Sequence, residues 1–190
     1  MVIEMKVFTI VGGVNGAGKT SFLGALKFSR TDLGHIVDVV SIAVERKCSV
    51  LEAHKAAKKK VDEYLSKNIT FTKETTISGQ KTDEIAKAAK ERGYMIHLFY
   101  IGINTYEESI KRIKNRVEMG GHNIEERDVD HSHHVRFNEL INLLPYCDKA
   151  YFFDNANGFE EVAEYKNGKL IVKGDYRPDW ITELKSMLGK

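Results

Sequence analysis

The chain is poor in the residues that mark secreted, membrane-bound or metal-knuckle proteins. Its 190 residues include two cysteines, Cys48 and Cys147. That is too few, and too widely spaced, for a disulfide framework or a thiolate metal site, so a reducing compartment is expected. No apolar run approaches the roughly 20 residues that span a bilayer. The opening Met1-Val2-Ile3-Glu4-Met5-Lys6 also lacks a signal-peptide profile. A soluble, cytoplasmic protein with no membrane partner is therefore expected. Charge of one sign is missing as well. A net charge of +2 gives no broad field of the kind nucleic acid requires, and none is expected as a partner. Low-complexity segments, internal repeats and Pro-rich linkers are absent, so residues 1–190 read as one domain. With 42% hydrophobic and 29% charged residues, the chain can bury a real core.

What is present is a phosphate-binding loop. Gly13-Val14-Asn15-Gly16-Ala17-Gly18-Lys19-Thr20 fits G-x-x-x-x-G-K-[ST], and Ser21 follows it. A chance match is expected in only about one chain in a hundred of this length. The context is also right. The β-prone run Val7-Phe8-Thr9-Ile10-Val11 precedes it, and the helical pattern Phe22-Leu23-Gly24-Ala25-Leu26 follows. Glycines let successive N–H groups turn toward a phosphate, and the helix adds its unpaired donors and the positive end of its dipole. Gly13 to Ser21 are thus the candidate nucleotide-binding residues. Lys19 is placed to reach the β/γ-phosphates, and the Thr20 hydroxyl to take one Mg²⁺ position. A nucleoside triphosphate, ATP or GTP, with Mg²⁺ is expected, since no base-reading motif separates the two.

Strand-like and helix-like segments then alternate, which predicts a parallel sheet with helices on both faces. His35 to Val40 reads as a second strand. Ser49 and Glu52 make a capping-box pattern for a long helix whose Lys55, Lys58, Lys59 and Lys60 read as a solvated face. Ile69 to Thr72 is a third strand leading into Lys73-Glu74-Thr75-Thr76, and a helix is expected from Ile77 toward Gly93. Met95 to Ile101 is apolar enough for a strand buried on both faces. His97 within it reads as a core histidine. Thr105 and Glu108 form a second capping box, and Arg112 and Arg116 lie four apart on the helix it starts. Residues His122 to His134 read as an irregular polar flap. Asp128, Asp130, His131, His133 and His134 within it offer metal-ligand chemistry, but a flap over a nucleotide accounts for them. Val135 to Leu144 is helical, and Ala150 to Asn155 is a fifth strand. Asn167-Gly168 signals a hairpin, and Pro178-Asp179-Trp180-Ile181 opens a last helix. The tail, about 160–188, is therefore a hairpin plus helix.

The chain resembles the zeta-toxin family of P-loop kinases. The resemblance rests on Gly12 to Thr20, on Glu74-Thr75-Thr76-Ile77-Ser78-Gly79, and on Gly93-Tyr94 and Tyr100-Ile101-Gly102. It continues through Arg112 to Val117, Gly120-Gly121-His122, Asp154-Asn155, Asn157-Gly158-Phe159 and Val162 to Tyr165. It implies a three-layer P-loop NTPase/kinase fold with strands ordered 2-3-1-4-5 and a C-terminal β-hairpin. It also implies a kinase that moves the γ-phosphate of ATP to a hydroxyl of a small acceptor; in the best-known members the acceptor is UDP-N-acetylglucosamine. Gly18, Lys19 and Thr20 would hold phosphates and metal. Arg112 or Arg116 would face the transferring phosphoryl group, and Glu74, Thr75 and Thr76 would meet the acceptor. An antitoxin protein is the implied partner.

Two departures stand out. The family's second strand ends in a carboxylate that takes the acceptor's proton, and with a strand running to Val40 that position is held by Val40. Asp38 would then lie about 6–7 Å further back on the same face. The family's flap carries paired arginines where this chain has His131-Ser132-His133, leaving Arg136 nearby. Losing a base worth about 10²–10⁴-fold and an arginine worth about 10³–10⁵-fold predicts an attenuated kinase, with Asp38 or Glu74 as substitute base. The alternative is a catalytically degenerate nucleotide-binding regulatory module. An ATPase performing conformational work is a third reading, with no second signature in its favour.

Overall fold

The computed structural model describes residues 5–79 and 81–189. Its frame is one seven-stranded sheet, ordered β2-β3-β1-β4-β5-β6-β7. The strands are β1 Val7–Gly12, β2 His35–Val37, β3 Phe71–Thr75, β4 Met95–Gly102, β5 Lys149–Asp154, β6 Glu160–Lys166 and β7 Lys169–Val172. The first five are parallel, in the order the resemblance implies. The hairpin β6–β7 extends that sheet antiparallel from β5. β1 lies at the centre of the five parallel strands with every residue buried.

The helices are α1 Lys19–Ser29, α2 Val39–Arg46, α3 Val50–Ser66, α4 Thr82–Glu91, α5 Tyr106–Glu118, α6 Glu126–Val135, α7 Asn138–Leu143 and α8 Asp179–Leu188. Two cores form because strand side chains alternate between faces. Val11, Phe99 and Ile101 pack with Phe22 and Leu23 of α1. Phe8, Ile10, Phe71 and Leu98 face the larger core with residues of α3, α4, α7 and α8. The capping box of α3 is complete: Ser49 N donates to Glu52 Oε2 at 2.9 Å, and Glu52 N to Ser49 Oγ at 3.3 Å. The box of α5 is half-formed. Glu108 N donates to Thr105 Oγ1 at 3.2 Å, but the Glu108 carboxylate turns to Arg112 at 2.5 Å.

Four expectations change. β2 ends at Val37, and α2 spans residues 39–46, taking in Val39 and Val40, expected as the end of the strand. Asp38 causes the switch, capping three donors of the new helix, so tertiary pairing of β2 with β3 stops there. β3 runs on to Thr75, and Ile77–Gly79 stays a turn, so α4 begins at Thr82. The flap is largely helical, because Val129 and Ser132 supply a buried face for α6. No described helix is long and apolar enough to cross a membrane.

Candidate nucleotide and acceptor site

The phosphate-binding loop lies between the end of β1 and the start of α1, at the carboxyl ends of the parallel strands, where open α/β sheets bind ligands. Two of its glycines have no substitute. Gly13 has φ of 144°, and a Cβ there would lie 2.2 Å from the Ile101 carbonyl oxygen; Gly18 has φ of 95°, with Asn155 Nδ2 at 2.5 Å from such a carbon. Neighbouring elements hold the loop in shape. Asn155 Nδ2 donates to Ala17 O at 2.8 Å. Asn15 Nδ2 donates to Asp128 O at 3.3 Å, and Asn15 N to Ser132 Oγ at 3.5 Å, which ties α6 to the loop.

Lys19 is buried and donates to Val14 O at 3.0 Å. Burial pulls its ammonium below the ordinary lysine range, while Glu74 and Asp38 oppose that shift. Thr20 Oγ1 donates to Glu74 Oε1 at 3.0 Å. Burial raises the Glu74 carboxyl above its usual range, opposed chiefly by the Lys19 charge. Among the described residues, Glu74 Oε2 is buried without a hydrogen-bond partner. A hydroxyl and a carboxylate with an unsatisfied oxygen form an oxygen-donor set that fits Mg²⁺. Thr75 is buried and accepts from Ile77 N at 3.2 Å, and Thr76 Oγ1 lies 2.7 Å from Ser78 Oγ. Ile77 itself has φ of 51°, a left-handed conformation rare for a β-branched residue. It is held there with its side chain beneath Gly12, where a Cβ would meet Ile77 Cδ1 at 2.2 Å.

Asp38 follows the last residue of β2 and joins this group electrostatically, acting on both Lys19 and Glu74. Its Oδ1 accepts from Val40 N at 3.0 Å, and its Oδ2 from Ser41 N at 3.2 Å and Ser41 Oγ at 2.6 Å. Asp38, not Val40, is therefore the strand-end residue, since Val40 sits in the first turn of α2 and is 44% exposed. The sequence carried a signal for this: an aspartate followed by Val39, Ile42 and Ala43 at helical spacing.

The two arginines separate. Arg112 pairs with Glu108 and donates to Asn155 O, bracing α5 against the loop that follows β5. Arg116 acts on both Lys19 and Glu74. Among the described residues its guanidinium has no ion pair or hydrogen bond. Arg136, near the flap, turns away to Glu183 of α8 and to the Ile103 and Asn104 carbonyls.

Of the flap histidines, His133 is engaged in packing, whereas His131 and His134 are exposed. His133 Nε2 lies 2.8 Å from Ser109 Oγ and its Nδ1 3.4 Å from Arg136. With Arg136 donating to Nδ1, Nε2 carries the proton and donates to Ser109. Burial and Arg136 pull this imidazole down to about 4. His134 pairs with Asp130 at 3.3 Å. Among the described residues, no group of three or more metal-ligating side chains comes together.

Sequence reasoning missed a groove between α3 and α4, a cavity of about 610 Å³. Val39, Ser78 and Gly79 line its upper end, beside Asp38 and the Thr75–Thr76 segment, and Lys73 lies in its wall. It also missed Asp154, buried at the end of β5, which accepts from Trp180 Nε1 at 2.7 Å and Ala156 N at 2.9 Å. That anchors the loop from which Asn155 reaches the phosphate-binding loop.

Known proteins fit this geometry. The family described as zeta toxin matches residues 50–142, from α3 to α7. An uncharacterised protein of Haemophilus influenzae is 34% identical over 119 residues, covering 60% of this chain and 83% of that protein. A chain of the PezAT chromosomal toxin-antitoxin system of Streptococcus pneumoniae superposes with a TM-score of 0.65 at 15% identity, over 97% of this chain and 86% of that one. A chain of the AvrRxo1-ORF1:-ORF2 assembly with ATP gives a TM-score of 0.65 at 15% identity, over 97% and 76%. At such identities the superpositions speak to the fold alone; the family rests on the sequence match across the groove, the arginine helix and the flap. The chain belongs to the zeta-toxin family.

Proposed function

We propose that this protein is an ATP–Mg²⁺ phosphotransferase that moves the γ-phosphoryl group to a hydroxyl of a small metabolite, a UDP-sugar being the first acceptor to test. The observation that carries the reading is the meeting of Lys19, the Thr20–Glu74 pair, Asp38 and Arg116 at one end of the sheet. Phosphoryl transfer is mostly positioning and charge stabilisation, and these groups supply both.

In this mechanism the loop N–H groups and Lys19 hold the phosphates. Thr20 and Glu74 would hold Mg²⁺, which neutralises charge on the phosphates when bound. The acceptor enters along the α3–α4 groove and brings its hydroxyl to the ends of β2 and β3. Asp38, with both oxygens already oriented by α2, accepts the hydroxyl proton. Arg116 faces the transferring group, and Arg112 positions rather than catalyses. Arg136 is committed to Glu183, so an arginine contribution from the flap is missing and an attenuated rate is part of the proposal. A protein antitoxin is the partner proposed by analogy with the toxin-antitoxin relatives.

The test is transfer of label from γ-labelled ATP, with GTP alongside, to UDP-N-acetylglucosamine and a panel of hydroxyl metabolites. Transfer at or below that of Lys19→Ala would overturn the reading. Nucleotide binding without transfer would favour the regulatory module, for which the engaged Arg136 is the supporting observation.

A further inference from the structure

The length and lining of the α3–α4 groove say more about the acceptor than the mechanism above uses. On the α3 side it is lined by His54, Ala57, Lys58, Val61, Asp62 and Leu65. Their spacing of three or four puts them on one helix face. Eleven steps from His54 to Leu65, at a rise of 1.5 Å each, make that face about 16 Å long. α3 ends at Ser66 and β3 begins at Phe71. Leu65 therefore marks the groove's end near the amino ends of the strands, and His54 its end nearer Asp38.

Polarity changes along this length. The upper end offers the Ser78 hydroxyl, the Gly79 backbone and the His54 imidazole. Desolvation, then the charge of Lys73, pull that imidazole down, so it is neutral at pH 7. Deeper in, Ala57, Val61 and Leu65 of α3 and Ile85 and Ala88 of α4 make an apolar floor. The charges along the groove have partners inside the fold. Lys58 pairs with Asp62 at 2.9 Å, Lys81 with Glu84 at 3.2 Å, and Lys73 is also engaged. What the lower groove offers a ligand is therefore apolar surface. At about 610 Å³ the space is in the range, roughly 300–1,000 Å³, of pockets that hold drug-sized ligands. Protein interiors are otherwise close-packed, and open space beside apolar side chains forfeits their contacts. Small residues at Ala57 and Ala88 keep it open, where larger ones would fill it.

We propose that the acceptor is an elongated, amphipathic molecule. Its hydroxyl stands at the ends of β2 and β3, and an apolar ring or short chain several bonds away lies along the α3–α4 floor. This rests on the phosphotransferase reading and narrows it, from any hydroxyl metabolite to one with an apolar end. A bare sugar fills the upper groove alone and leaves the floor wet. An apolar extension covers the floor, and its binding gains the free energy of taking both surfaces out of water.

The experiment uses the full chain loaded with Mg²⁺ and a non-hydrolysable ATP analogue, so that the phosphate-binding loop is already occupied. Calorimetry then compares methyl β-glucoside with phenyl and hexyl β-glucosides, and the same three groups on N-acetylglucosamine. The phenyl and hexyl arms separate a ring from a chain. At least one apolar glycoside should bind about tenfold to a hundredfold more tightly than its methyl counterpart. Its binding should also carry the more negative heat-capacity change that marks apolar burial. Ala88→Leu should fill the floor and remove most of that gain. Nucleotide affinity should not move, because Ala88 lies away from the phosphate-binding loop. Ala88→Met serves if the Leu variant fails to fold. The proposal is overturned if no phenyl or hexyl glycoside binds better than its methyl counterpart, or if the Ala88 variants bind it unchanged. Binding that depends on Ala88, with no transfer to any acceptor, would instead sink the phosphotransferase reading alone.

Discussion

Asp38 gives the sharpest test of the catalytic reading, because one carboxylate does two separable jobs. It caps α2 through three hydrogen bonds at 2.6–3.2 Å, and it is the proposed acceptor of the hydroxyl proton. Asparagine caps a helix about as well as aspartate, whereas alanine loses about 1 kcal/mol. For a chain of this size that corresponds to a Tm drop of about 2–4 °C. Asp38→Asn should therefore hold its Tm within about 1–2 °C while kcat falls about 10²–10⁴-fold. Asp38→Ala should lose both. ATP affinity should stay level or tighten in each, since a negative charge acting on Lys19 has been removed. Thermal melts, calorimetry with ATP and transfer assays read the three quantities separately. Val40→Asp completes the set. Val40 lies on the exposed first turn of α2, so a carboxylate there should give no gain. Retention of transfer within a few-fold by Asp38→Asn, or a hundredfold gain in Val40→Asp, would refute this assignment, and the gain in Val40→Asp would also restore the reading in which Val40 stands in the place of the lost base.

Two further outcomes follow from the same geometry. Gly18→Ala must adopt φ near 95° and displace Asn155 Nδ2 from 2.5 Å, so nucleotide binding measured by calorimetry should fall below detection; affinity within threefold of wild type would refute the role given to the loop. His133 is held neutral with its value near 4 against an ordinary 6.5, so the unfolded chain binds more protons between those values and stability rises with pH across that window. Melts from pH 4 to 7 should show this slope, and His133→Gln should flatten it; an unchanged slope would refute the assignment of the slope to His133.

The phosphate-binding loop was legible because its function is written in contiguous residues: glycines for backbone shape, a lysine and a threonine at fixed spacing. The alternation of elements and the α3 cap were legible for the same local reason. Glu74 could be placed at a strand end, but its pairing with Thr20, 54 residues away in the chain, could not. Pattern alone misjudged β2, since Val39 and Val40 suit a strand as well as a helix. The decision came from Asp38 capping the helix where pairing with β3 ran out. The flap was misread because its buried face amounts to Val129 and Ser132, too sparse a stripe to recognise among histidines and acids.

By itself, then, the sequence determined that a nucleoside triphosphate can be gripped and that five parallel strands carry the grip. Short-range chemistry sets both. The tertiary structure alone decided which carboxylate stands at the end of β2, which arginine acts on Lys19 and Glu74, and that a buried lysine lines the groove beside them. Those are properties of side chains distant in sequence that share one volume, where burial and neighbouring charge, rather than spacing, set what each group can do.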